Sequence, residues 1–140
     1  MGDADRFAHF LTAQEGTHDT ALEELRAGRK RSHWMWFVFP QIAGLGSSAM
    51  AHRFALSGQA EARAYAEHPV LGARLDQATQ VMLGWAGKRT AEAVLGRIDA
   101  MKFRSSMTLF EASVEGTRFF TAALDQFYEG TRDPLTLQRL

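Results

Sequence analysis

A chain of 140 residues has room for one core and not two, and at that size roughly two thirds of the surface is buried on folding, so stability requires neither a disulfide nor a metal. The absence of cysteine excludes disulfides, thiolate zinc sites, iron–sulfur clusters and cysteine nucleophiles, and favours a reducing cytoplasm. Sixteen basic residues balance sixteen acidic ones, so the chain lacks the long-range positive field that drives non-specific nucleic-acid binding.

No nucleic-acid partner is therefore expected. The longest apolar run, Trp34 to Phe39, is far short of the roughly 20 residues that cross a bilayer, and the residues around Asp3, Asp5 and Arg6 lack signal-peptide character. The expectation is a cytoplasmic protein without a membrane partner, folded as a single domain over residues 1–140.

In chain order, Asp3 is placed to cap a first helix carrying Phe7, Phe10 and Leu11, and Gln14 continues that apolar stripe. A buried amide must find partners, so Gln14 is either a cross-brace or a pocket wall. Thr17 or Asp19 opens a second helix with Ala21, Leu22 and Leu25, stopped by Gly28. The basic cluster Arg26, Arg29, Lys30 and Arg31 is large enough to hold one phosphate or carboxylate, and equally suits the negative end of that helix dipole. Trp34 to Phe39 is the one strand candidate, since Val and Ile are scarce against Ala and Leu elsewhere.

After Pro40, Gly44 and Gly46, Ser47 or Ser48 caps a short helix, and Gly58 precedes an Ala-rich helix holding Tyr65. Pro69 reads as the first residue of the clearest helix, whose face is Val70, Leu71, Leu75, Ala78, Val81, Met82 and Trp85, ended by Gly84 and Gly87. Thr90 caps a short turn to Leu95, Gly96 breaks, and a long helix runs from about Asp99 to Val114. A last helix spans about Arg118 to Tyr128, and Asp133-Pro134 begins a terminal turn. His68 is a helix-entry residue. Glu23, Glu24 and Glu61 are assigned to solvated faces.

The unusual segment is Ser32-His33-Trp34-Met35-Trp36-Phe37-Val38-Phe39-Pro40-Gln41, with Lys30 before it and Gly44-Leu45-Gly46-Ser47-Ser48 behind. So dense an aromatic run must be mostly buried, and it carries Lys30, Ser32, His33 and Gln41 toward the core, where desolvation shifts ionisation. Gly44 and Gly46 allow close backbone approach, and Ser48 presents a helix N-terminus. The spacing fits neither a Walker loop nor a dinucleotide fingerprint.

This block, taken with Gln14, Gly28 to Gln41, Gly44-Leu45-Gly46 with Ser48, Tyr65, His68-Pro69, Leu71-Gly72, Asp99, Lys102 and Ser105 to Phe110, resembles the bacterial family catalogued as domain of unknown function eighteen-ten. Some members of that family bear the name calpastatin. The likeness runs nearly end to end, and the aromatic, usually tyrosine, that the family carries near Thr17 or His18 is missing here. The resemblance implies an all-α fold of about six to eight short-to-medium helices packed at varied angles, and it brings no activity with it.

On the long helix, Phe103, Met107, Phe110 and Val114 form the core stripe, with Asp99, Lys102 and Ser106 on its flank. Ser105, Ser106 and Thr108 are poor helix-interior choices unless their hydroxyls have partners. If this flank meets the tryptophan segment, the two make a pocket with His33 and Asp99 as candidate catalytic acid and base. Its ligand contacts would be Gln14, Lys30, Ser32, Trp34, Trp36, Gln41, Ser48, Lys102, Ser105 and Ser106. The ligand expected is a small nucleotide-like or sugar-phosphate anion, bound only or also hydrolysed or transferred. The rival expectation is a protein-interaction or self-association module built on the tryptophans. His9, His18, His33, His52 and His68 show no metal-ligand spacing, so neither a metal nor a cofactor is expected.

Overall fold

The computed structural model describes residues 6–116 and 119–140, and ten helices are present among them. They are α1 Ala8–Gln14, α2 Thr17–Arg26, α3 Met35–Val38, α4 Ala49–Arg53, α5 Gln59–Glu67, α6 Leu71–Leu83, α7 Ala91–Leu95, α8 Arg97–Ser113, α9 Phe119–Tyr128 and α10 Pro134–Leu137. That exceeds the six to eight expected, and two of the ten, α3 and α10, are single turns. The proposed cap Asp3 and the start at Arg118 lie outside the described residues.

Local chemistry sets most boundaries. Ser48 Oγ accepts the Ala51 amide at the start of α4, and Thr90 Oγ1 accepts the Ala93 amide at α7. Pro69 does not begin α6, as the sequence pattern had it. His68 Nδ1 instead accepts the amides of Val70 and Leu71, capping a helix that starts two residues after the proline. Gly28 ends α2 with φ +76°, and any Cβ there would come within 2.8 Å of the Trp85 ring, so both conformation and space demand glycine.

The strand expectation for Trp34 to Phe39 is corrected to the turn of helix α3. A wholly apolar run has no period-two alternation to choose a strand, and no partner strand lies beside it among the described residues. Its backbone is satisfied locally, with Val38 N donating to Trp34 O and Phe39 N to Met35 O. The sole extended pairing among the described residues is an isolated parallel bridge between Ile42 and Leu56.

α8 is the axis of the fold and packs against α5, α7, α9 and α10. That surround explains its hydroxyls, because a helix enclosed on most sides needs small residues. Thr108 and Ser113 donate to the carbonyls one turn back, of Arg104 and Leu109, and Ser105 Oγ lies 3.1 Å from Met101 O. Ser105 Oγ and Thr136 Oγ1 also meet Asp133 Oδ2 at 2.6 Å, while Asp133 N donates to Thr108 Oγ1, fastening α10 to α8. Burial raises the Asp133 carboxyl, but these hydrogen bonds and Arg104 outweigh it and hold the group below its ordinary value. No helix among the described residues is long and apolar enough to cross a membrane.

Gln14 is 1% exposed and sits among Phe7, Phe10 and Tyr65 in the core. Its Nε2 donates to Phe37 O at 2.7 Å and to Tyr65 Oη at 3.0 Å, and its Oε1 accepts from Arg74 Nη1 at 3.2 Å. Phe37 belongs to the last turn of α3, whose carbonyls have no partner within the helix, so the amide supplies what that turn lacks. Gln14→Leu is expected to destabilise the fold by about 1–3 kcal/mol, because it leaves the buried Phe37 carbonyl with only the longer, 3.3 Å bond from Tyr65 Oη and strands an arginine N–H. Urea denaturation checks this: the midpoint falls at unchanged slope, and an unchanged midpoint refutes the brace.

Candidate functional site

The turn that delivers the tryptophans is built on Glu24. As the chain leaves α2, Glu24 Oε1 accepts the amides of Arg31 and Ser32 at 2.7 and 2.9 Å and the Trp34 indole N–H at 2.9 Å. Ser32 Oγ donates to Oε2 at 2.5 Å. Burial raises the Glu24 carboxyl, and the bonds from the Ser32 hydroxyl, the two amides and the indole outweigh it, bringing the group down to about 2. Glu24 is thus no solvated surface acid. The signal available in the sequence was the donor count: two loop amides and an indole N–H need an acceptor, and the nearest carboxylates are on α2.

With the loop fixed, Lys30 N donates to Val94 O at 2.7 Å, tying the segment to α7. Lys30 Nζ then lies 5.1 Å from the Trp34 ring centroid and 2.8 Å from Asp99 Oδ2. From the opposite side, Lys102 Nζ lies 5.2 Å from the Trp36 ring centroid and 3.8 Å from Asp99 Oδ1. The two patches identified in the sequence therefore meet, and one carboxylate bridges two ammoniums, each resting on an indole.

Between them opens a cleft of about 510 Å³, a size typical of small-molecule sites. Its walls are the tryptophan turn, with His33, and the first turn of α8 from Gly96 to Asp99. Gly96, at φ +89°, gives α8 no side-chain cap, so the amides of that first turn have no side-chain acceptor there. Arg97 adds a third cation. Against Lys30, Lys102 and Arg97 stands the single carboxylate of Asp99, an excess of two positive charges among these four side chains.

Lys30, His33, Trp34, Trp36, Asp99 and Lys102 line this cleft, and the other expected contacts do not. Gln14 is spent on α3, Ser32 on Glu24, and Ser48 on the cap of α4. Ser106 is fully buried with its hydroxyl unpartnered. Gln41 and Ser105 line a neighbouring trough. These six placements correct the single shared pocket expected from sequence, because helix periodicity gives a residue's face but not which loop comes to cover it. Arg97, Ile98 and Leu95, which sequence reasoning passed over, are in the cleft. The break at Gly96 is the feature that marks them. Among the described residues no group of three or more His, Asp and Glu is arranged to hold a metal ion.

Comparison with known proteins bears on the whole chain. The profile of a family described as protein of unknown function, DUF1810, matches residues 4–140. The chain belongs to the DUF1810 family. Among solved structures, that of the conserved hypothetical protein Rv1873 from Mycobacterium tuberculosis is similar, with a TM-score of 0.92 and 43% sequence identity over 96% of this chain and 95% of that one. No curated protein matches the chain.

For this DUF1810 chain the Glu24 hub gives a pH test. The folded carboxyl titrates near 2, below the ordinary 4.5 of the unfolded chain, so its stabilisation is complete above pH 4.5 and disappears as pH falls toward 2. Glu24→Gln should therefore melt well below the native chain at pH 6, with the gap closing between pH 4.5 and 2. A gap of constant size across that range would show that the charge is not what holds the loop.

Proposed function

We propose that this protein binds a small phosphate-bearing anion, of nucleotide-like or sugar-phosphate type, in the cleft between the tryptophan turn and the start of α8. The observation that carries this reading is the charge imbalance: three cations and a helix N-terminus without a side-chain cap face a space that contains one carboxylate. Tryptophan and leucine walls lower the local dielectric and strengthen attraction for an anion. The half-buried Trp36 offers an edge against which a sugar or base packs.

Binding is better supported than catalysis. Asp99 is committed to two ammonium groups, which leaves His33 as the one acid–base group of the cleft without a charged partner among the described residues. Among the described residues lining the cleft there is no Ser or Thr to complete a set for hydrolysis or transfer. The rival reading, a docking surface made by the tryptophans, draws no support from Trp34, whose ring is fully buried.

Thermal melting in the presence of inorganic phosphate, nucleotides, ADP-ribose and sugar phosphates tests the proposal. A ligand at 100 times its Kd should stabilise the fold by about 2.7 kcal/mol. Lys102→Ala should weaken binding by about tenfold while keeping the fold, since the part-buried Asp99 retains Lys30 as its closer partner at 2.8 Å. Added salt should weaken binding too. Absence of a shift with every phosphate compound at millimolar concentration sinks the reading.

A further inference from the structure

Beside the cleft, and sharing Lys102 and Ile98 with it, runs a second concavity of about 200 Å³. Its floor is apolar and open: Ile98 is 70% exposed, Met101 60% and Leu135 58%, with Leu45 partly buried at the edge. Elsewhere the long apolar side chains of α8 are buried, so two of this size left open one turn apart are out of keeping with a helix at the centre of a core. The rim carries Lys102, 3.8 Å from Asp99 Oδ1, and Arg104, whose Nη2 lies 3.9 Å from Oδ1 of the one carboxylate there, the buried Asp133, itself bonded through Oδ2 to Ser105 and Thr136. Arg104 Nε is buried without an acceptor among the described residues.

Two features decide what covers such a trough. A handful of side chains falls well short of the roughly 800 Å² per partner that a stable protein interface buries. Two copies meeting through it would also oppose Lys102 and Arg104 of one to the same residues of the other, a like-charge contact. The occupant that matches an apolar floor, a positive rim and continuity with an anion cleft is a narrow amphiphile.

We infer that the ligand class is an anion with an apolar tail, its phosphate head in the cleft on the open side of the Lys30–Asp99–Lys102 bridge and its alkyl or acyl chain lying over Ile98, Met101 and Leu135. This rests on the anion-binding reading of the cleft and adds the tail. Lys102 stands at the junction, its ammonium turned toward the head and its aliphatic stem toward the chain.

Isothermal titration of the intact chain with inorganic phosphate, butyl phosphate and octyl phosphate, the last kept below its micelle concentration, tests the inference. Each half-buried methylene is expected to tighten binding about twofold, so octyl phosphate should bind about 16-fold more tightly than butyl phosphate. The double variant Met101→Ser, Leu135→Ser alters exposed positions only. It should lose most of that 16-fold gain, keep its affinity for inorganic phosphate, and retain the native circular dichroism and melting temperature. Equal affinity for all three compounds overturns the tail and leaves the anion cleft standing, whereas no binding by any of them overturns both. An octyl gain that survives the double variant removes the chain from this trough. A concentration-dependent dimer in sedimentation, abolished by the double variant, assigns the face to a second copy and overturns the inference.

Discussion

The position of the candidate site depends on four hydrogen bonds converging on the Glu24 carboxylate. Segment 31–34 has no regular secondary structure, so its amides have no ladder to join, and the Trp34 indole is drawn into the core with an N–H that must be paired. One anion on α2 satisfies all of these and is held ionised by doing so. The consequence is geometric: with Ser32 and Trp34 pinned, Lys30 is carried to Asp99 and α3 is seated in the core. Without that carboxylate, two loop amides and a buried indole would compete for water at the edge of the core, and neither lysine would be held over its ring.

The same economy runs through the other polar residues of the interior. Gln14 completes the open end of α3 from one side, and Asp133 gathers Ser105, Thr136 and the Leu135 amide at the other end of the molecule. Each is a polar residue on an apolar face, the pattern that in sequence reads equally as a site. What separates them is satisfaction: Gln14 and Asp133 have their hydrogen-bonding capacity filled by protein groups, so nothing is left over for a ligand. The cleft residues differ, because Lys30 and Lys102 share the one carboxylate of Asp99 and Arg97 adds a further cation to its wall.

Much of the fold was legible because caps and periodicity are local. Ser48, Thr90, Gly28 and His68 mark helix ends within a few residues of themselves, and the stripe Leu71, Leu75, Ala78, Met82 announces α6 without knowledge of its neighbours. The meeting of Lys30 with Asp99 and Lys102 was also anticipated, since an aromatic run and a polar flank both border the core. The failures share one cause. Whether Trp34 to Phe39 becomes a strand or a helical turn, whether Glu24 faces water or a loop, and whether Ser106 reaches a cavity all depend on which segment packs across from them, and that is set by contacts distant in sequence. Ser106 shows the limit most clearly, for no partner of its buried hydroxyl was evident in the sequence and none is found among the described residues.

The arrangement Lys30–Asp99–Lys102 also bears on what kind of site this is. Desolvating an ion pair costs about as much as the attraction returns, so a half-buried bridge of this sort is weakly stabilising at best. Its physical effect is to fix positions: Asp99 keeps two flexible ammoniums apart, each against an indole face, instead of letting them extend into water. An incoming dianion then meets cations whose side-chain entropy is already lost, which is the condition for affinity in a shallow site. It also meets Asp99, and the like-charge repulsion from that carboxylate sets an upper bound on how tightly a compact anion binds. A ligand that draws part of its affinity from apolar contact outside the charged cleft escapes that bound, and the open trough over Ile98, Met101 and Leu135 is where the structure provides such contact.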